Sequence, residues 1–282
     1  MFADREPGFI HDGRRREAVK FGIVGATAHP QVDASLIVGT AQPEPWGSKT
    51  WRSVNYTEIH DNMTLFDKLM LTEPDKPLAY YAQMQKFALS LIILAEGMPV
   101  LHAGMEFMRT KEAPKTLLEE GAAFPDSAKI DIDGAPRVFL RNTYNVTDKI
   151  NALDWQRAAK NRDCVEYAQH LIALRKAHAA FRIADAAELA DALTFLDNEA
   201  ADLPEAALAW QLDGSACGDA WKTILLIANP LDAAVPFALP EGRAWRLVTD
   251  GAHFAPHNAK PLADGASVTL GAKSLAVYAV HS

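Results

Sequence analysis

Three adjacent polar residues, His60-Asp61-Asn62, close a mostly apolar stretch that begins near Ser53. A histidine beside a carboxylate places a donor and an acceptor one residue apart, a pairing that can grip neighbouring hydroxyls of a polyol. A second polar group, His102-Ala103-Gly104 with Glu106 just beyond, closes the short apolar run Pro99-Val100-Leu101. In parallel α/β folds, ligands bind at the carboxyl ends of strands, so both groups stand where chemistry is done. Spacing alone also fits a plainer role, and favours it: Asp61 and Asn62 would cap the strand end by accepting from nearby backbone N–H groups.

The elements that position these groups are legible in outline. Ser53–Ile59 reads as a strand. From Leu78 to Glu96 the residues Met84, Phe87, Ala88, Leu91, Leu94 and Ala95 follow the spacing of an amphipathic helix, which Gly97 is placed to end and Pro99 keeps from continuing. Strand, helix, strand predicts one parallel crossover, a sheet with helices outside it. Residues 110 to 161 show no convincing period, and long loops of this kind in compact domains are usually functional. Asp163 opens the next helix, with Glu166 as its capping-box partner and Val165, Ala168, Leu171, Ile172 and Leu174 facing inward, to about His178. Upstream, Arg14–Arg16 opens a short helix with a solvated face, and Pro43-Glu44-Pro45-Trp46-Gly47 reads as extended loop. An Ala-rich helix spans Ile183–Leu193, and after it the pattern turns to β. Residues 208–212, 223–228, 235–239, 245–249, 267–270 and 274–280 give six short strands, the spacing of an antiparallel sandwich.

Composition excludes more than it selects. The 282 residues are 49% hydrophobic with a net charge of −8, which gives no electrostatic case for nucleic acid or an anionic membrane. No apolar run is long enough to span a bilayer, and the first residues lack the basic flank and apolar core of a signal peptide, so cytoplasmic is the default expectation. Cys164 and Cys217 form no metal spacing; two unpaired buried thiols are expected, though one bridge between them is open. The nine histidines contain no His-Glu-x-x-His pair, and no P-loop, dinucleotide fingerprint or Gly-x-Ser-x-Gly elbow occurs. Asp131-Ile132-Asp133-Gly134 starts like a calcium loop without its continuation and reads as a turn.

Asn55-Tyr56-Thr57-Glu58-Ile59-His60-Asp61-Asn62-Met63-Thr64-Leu65-Phe66-Asp67 resembles the seventh-strand motif of type I pullulanases, in the α-amylase superfamily of glycoside hydrolases. Gly97-Met98-Pro99-Val100-Leu101-His102-Ala103-Gly104-Met105-Glu106-Phe107-Met108-Arg109-Thr110-Lys111 resembles the eighth strand and its following loop. Asn142-Thr143-Tyr144-Asn145, Asp148, Ile150-Asn151 and Asp154-Trp155 resemble the rest of that loop, Leu171–His178 the eighth helix, and Ser274-Leu275-Ala276-Val277-Tyr278 the last sandwich strand. The resemblance implies the C-terminal part of a (β/α)8 barrel over residues 1–182 and an antiparallel β-sandwich over 183–282. It implies hydrolysis of α-1,6-glucosidic branch linkages with retention. Asp61 would be the third carboxylate, holding sugar hydroxyls as the ring distorts toward the transition state, and His60 would bind the same sugar. Asn62, Asn145 and Asp148 would serve neighbouring subsites. Tyr144 and Trp155 would either stack on sugars or fill a loop core.

The nucleophile and general acid of that family belong to strands upstream of the His-Asp motif. Among the 59 residues before His60 there is no Gly-x-Arg-x-Asp and no Glu-Gly-Trp pattern. The chain is therefore expected to be a truncated or split pullulanase, inactive by itself, whose partners are an α-glucan and the missing N-terminal half. A non-catalytic α-glucan-binding protein and a fragment of an isoamylase-type enzyme are the alternatives. No cofactor is implied; a structural calcium is compatible with the family, and no metal site is assigned.

Overall fold

The computed structural model describes residues 4–38, 44–132 and 134–281, so Pro43 of the extended-loop stretch and Asp133 of the Asp131–Gly134 turn lie outside the described residues. In chain order the strands are β1 (Val54–Asn55), β2 (Met98–Pro99), β3 (Ser127–Ile132), β4 (Ala135–Leu140), β5 (Leu193–Phe195), β6 (Leu208–Asp213), β7 (Trp221–Asn229), β8 (Val235–Ala238), β9 (Arg246–Thr249), β10 (Ser267–Leu270) and β11 (Ser274–His281). They divide between two compact units. The first holds residues 1–6, 56–85 and 100–166, the second 7–55, 86–99 and 167–282.

In the second unit β1 and β2 pair in parallel, Val54 opposite Met98 and Asn55 opposite Pro99. The connection between them contains the helices Leu65–Thr72 and Leu78–Ile93, the expected crossover. The pair is shorter than its sequence promised because Pro99 has no N–H to extend the ladder. Gly97 takes φ +85°, and a Cβ there would meet the Ser53 hydroxyl at 2.8 Å, so both its backbone and its neighbour require glycine.

The remaining named strands of this unit pair antiparallel. One sheet has the order β5-β6-β7-β11-β9, and β8 pairs with β10 in a second. All six strands read from alternation are present; β5, three residues directly after the helix Ala186–Ala192, escaped it. Trp210 faces Leu226, and Leu226 faces Val277, across the large sheet. The central strands are buried on both faces, which is why β7 reads as a continuous apolar run. One face, with Leu225, Ile227, Ala276 and Tyr278, shares a core with Val235 and Phe237 of β8, Leu270 of β10, and Trp245. This β-rich packing is what the strand spacing called for.

Two fully buried tryptophans differ in one atom's fate. Trp245 Nε1 donates to the Pro240 carbonyl at 2.8 Å, whereas Trp210 Nε1 finds no acceptor among the described residues. Trp245→Phe should therefore destabilise the β-rich unit more than Trp210→Phe, by about 1–3 kcal/mol, because the second change also removes an unsatisfied donor. Urea midpoints of the two variants check this ranking.

The first unit carries the hairpin β3–β4, Ser127 opposite Leu140 through Ile132 opposite Ala135, in the segment that showed no period. Its exposed strand residues and Pro136 hide the alternation. The hairpin packs Val138 and Leu140 on Ala113 and Ile150, with Leu117, Leu118, Phe124 and Val146 around them. The helix Arg162–Ala177 buries Cys164, Tyr167, Ala168, Leu171 and Leu174, while Ile172, expected inside, is 40% exposed. Of the two cysteines, Cys164 is buried and Cys217 half-buried, with its thiol pushed up by burial. No helix among the described residues is long and apolar enough to cross a membrane.

Candidate active site

A cavity of about 220 Å³ lies wholly within the first unit, lined by His60, Asp61, His102, Arg109, Lys111, Asn142, Thr143, Tyr144 and Asn151. Both polar groups singled out in the sequence thus meet in one place. His60 and Asp61 present largely exposed side chains, with Nε2 and Oδ2 3.7 Å apart. Asp61 is the one carboxylate among the described residues lining the cavity.

Behind them runs a chain of side chains that spacing did not reveal. Glu58, at the heart of the motif, is buried; its Oε2 accepts from the Leu65 N–H at 2.7 Å, at the start of the helix Leu65–Thr72. Its Oε1 lies 2.9 Å from His102 Nδ1, and His102 Nε2 lies 3.0 Å from Arg109 Nη1. A guanidinium only donates, so Nε2 accepts and Nδ1 carries the proton, donating to Glu58. Arg109 Nη2 goes on to the Asn151 carbonyl at 3.0 Å, and Asn151 Nδ2 to the Thr143 carbonyl at 2.7 Å. A glutamate within the stretch read from the sequence as a strand was the available signal, since a buried charge needs a partner.

Lys111, 1% exposed, sits at the base. Its Nζ donates to the carbonyls of His60 and Asn62, each at 2.6 Å, and of Arg141 at 3.3 Å. Burial, and Arg109 nearby, push its ammonium pKa down, against Asp67, Glu58 and Asp61. Its own N–H donates to Asp67 Oδ2 at 2.7 Å, while the Thr110 hydroxyl donates to Oδ1. Asp67 is fully buried in the first turn of the helix that Thr64 caps, and burial pushes its carboxyl up to about 7 despite those donors.

The other sequence candidates fall differently. Asn62 is half-buried in a left-handed conformation, φ +61°, and contributes its carbonyl to Lys111. Tyr144 lines the cavity and is 90% exposed. Asn145 and Asp148 are exposed outside the lining, Asp148 as first residue of the helix Asp148–Asn151. Trp155, 69% exposed, also stands outside it, its ring 5.9 Å from that of Phe107. No cluster of three or more His, Cys, Asp or Glu that could hold a metal occurs among the described residues.

Comparison with known proteins shows what the chain as a whole is similar to. The pullulanase all-beta domain family matches residues 191–253. The pullulanase of Bacillus subtilis strain 168 is 31% identical over 245 residues, 87% of this chain and 28% of that protein. An isoamylase of a Flavobacterium species is 28% identical over 287 residues, 87% of this chain and 33% of that protein. The solved type I pullulanase of Bacillus subtilis strain 168, complexed with maltose, superposes with TM-score 0.77 at 28% identity, covering 100% of this chain and 33% of the other. The pullulanase of Paenibacillus barengoltzii, in complex with maltohexaose and α-cyclodextrin, gives 0.74 at 29%, covering 100% and 36%. The chain spans about a third of the length of these relatives. It is a homologue, over that part, of these pullulanases and isoamylases, the relation its motifs at 55–67 and 97–111 carried.

Proposed function

We propose that this chain forms one side of a debranching active site, the side that grips the sugar at the cleaved α-1,6 linkage. Residues 1–182 would be the last part of a (β/α)8 barrel and 183–282 its β-sandwich; the parallel pair β1–β2 and its helical crossover support the first assignment. The observation that carries the reading is the meeting of His60 and Asp61 in a polar cavity with an aromatic, Tyr144, at its rim. Asp61 accepts from sugar hydroxyls, His60 binds the same ring, and Asn62, Asn145 and Asp148 serve adjacent subsites. Retaining hydrolysis needs a nucleophile and an acid with carboxyl groups about 5–5.5 Å apart. Asp61 stands alone among the lining carboxylates of the described residues, so both would come from a segment matching the remainder of the relatives.

Maltotriose titrated into the labelled chain should shift the amides of His60, Asp61 and Tyr144, with Kd of about 1 mM, or roughly 4 kcal/mol, for a half-built site. The same chain should release no reducing sugar from pullulan. Turnover at about 1–10³ per second would contradict the half-site. Absence of any shift at His60 and Asp61 would remove the glucan assignment. The single carboxylate also fits a non-catalytic glucan-binding protein, and debranching on addition of the missing part of a relative separates the two.

A further inference from the structure

Lys111 is an unusual thing to find at the base of a sugar-sized cavity. Its ammonium is buried, and all three of its N–H groups go to main-chain oxygens, those of His60, Asn62 and Arg141. Desolvating a cation costs several kcal/mol unless its protons are well placed. A packing role would be filled more cheaply by Met or Leu, so the geometry the charge enforces is what explains it.

That geometry is specific. The carbonyls of residues 60 and 62 converge on one nitrogen, which bends the chain tightly around Asp61. Asn62 adopts φ +61° to allow it, a conformation that L-residues avoid and that Asn and Asp tolerate best after Gly. Without a cation between them, two carbonyl dipoles would point at each other, and the strained turn would have no anchor. The third bond reaches Arg141, the residue before the opposite wall Asn142–Tyr144. Lys111 is itself tied to that wall's strand, since the Leu140 N–H donates to its carbonyl at 3.2 Å and the Ala113 N–H to that of Val138 at 2.8 Å. One ammonium therefore spans the floor and holds both sides.

We propose that Lys111 is a positioning residue, clamping the His60–Asn62 turn against the Arg141–Tyr144 wall so that His60 and Asp61 face the sugar. The inference rests on the glucan reading for its ligand, and on the hydrogen bonds alone for the clamp. Lys111→Met keeps the bulk and deletes the donors. With the carbonyls of His60, Asn62 and Arg141 left without their donor, maltotriose affinity should fall by about tenfold or more. Carbonyl and amide shifts should change at residues 60–62 and 141–144, while tryptophan fluorescence of the β-rich unit stays the same. Lys111→Ala supplies a chemical-rescue arm: propylammonium should restore the 60–62 shifts and the affinity, and neutral 1-propanol of the same size should not. Should Lys111→Met fail to fold, the alanine variant refolded with propylammonium or 1-propanol keeps the comparison. Equal rescue by both, or failure of the alanine variant to fold with either, overturns the clamp in favour of bulk packing. So does a Lys111→Met chain that binds within about twofold of the parent with unmoved shifts. If the parent itself ignores maltotriose, the glucan reading falls, and the shift experiment still decides the clamp.

Discussion

Asp61→Asn is expected to reduce kcat by about 10²–10³ once the part of a pullulanase that this chain does not match is fused or supplied in trans, the usual loss for one preorganised electrostatic contact. Asparagine keeps the size and one acceptor oxygen but loses the charge. An oxocarbenium-like transition state draws the ring hydroxyls toward a carboxylate more strongly than the ground state does, so kcat should fall far more than affinity. The exposure of Asp61 makes a folding explanation easy to test, because no backbone partner depends on its carboxylate in the described hydrogen bonds. A variant with parental kcat and an earlier melt would leave the triplet a purely structural role.

The second large effect concerns Asp67 and runs opposite to ordinary acid denaturation. Its folded pKa, about 7, lies above the unfolded value of about 3.9, so between these limits the native state holds a proton that the unfolded chain releases. Its contribution is full below about pH 4, declines as pH rises to 7, and is flat beyond. The roughly three-unit difference corresponds to about 4 kcal/mol as a ceiling. Asp67→Asn should remove this slope and raise stability at pH 8. Glu96, also buried with its carboxyl pushed well up, slopes the same way in the other unit, so the comparison must be parent against variant. Hydrogen exchange of the amides in Leu65–Thr72, followed from pH 5 to 8 as intrinsic-rate-corrected protection, isolates the site. A parental profile without that decline would mean that Asp67 is ionised in the fold throughout.

What the sequence made legible follows from range. Strands β6 to β11 alternate or run apolar within a few residues, so their patterns survive without tertiary knowledge. The hairpin β3–β4 hides behind Lys129, Asp131 and Arg137, and its packing depends on Ile150, reached only in the fold. In the helix Arg162–Ala177, Val165 and Ile172 are apolar by type, yet the buried stripe runs one position away through Cys164, Tyr167 and Leu171. His60 and Asp61 were visible because they are neighbours with a motif around them. Glu58 and His102 are 44 residues apart, Lys111 and Asn62 49, and no local spacing announces such pairings.

Strands β8 and β10 make a sheet that is all edge. Each offers one row of backbone groups to its partner and another outward. Such rows invite strands of other molecules, and an exposed proline is one way proteins refuse them. Pro236 is exposed on β8, beside the buried Val235 and Phe237. With no N–H to give, it breaks the template at the middle of a four-residue strand whose neighbours are apolar. Pro236→Val would restore that N–H, and the residue that looks least suited to a strand would then give way to a better β-former at an expected cost in solubility.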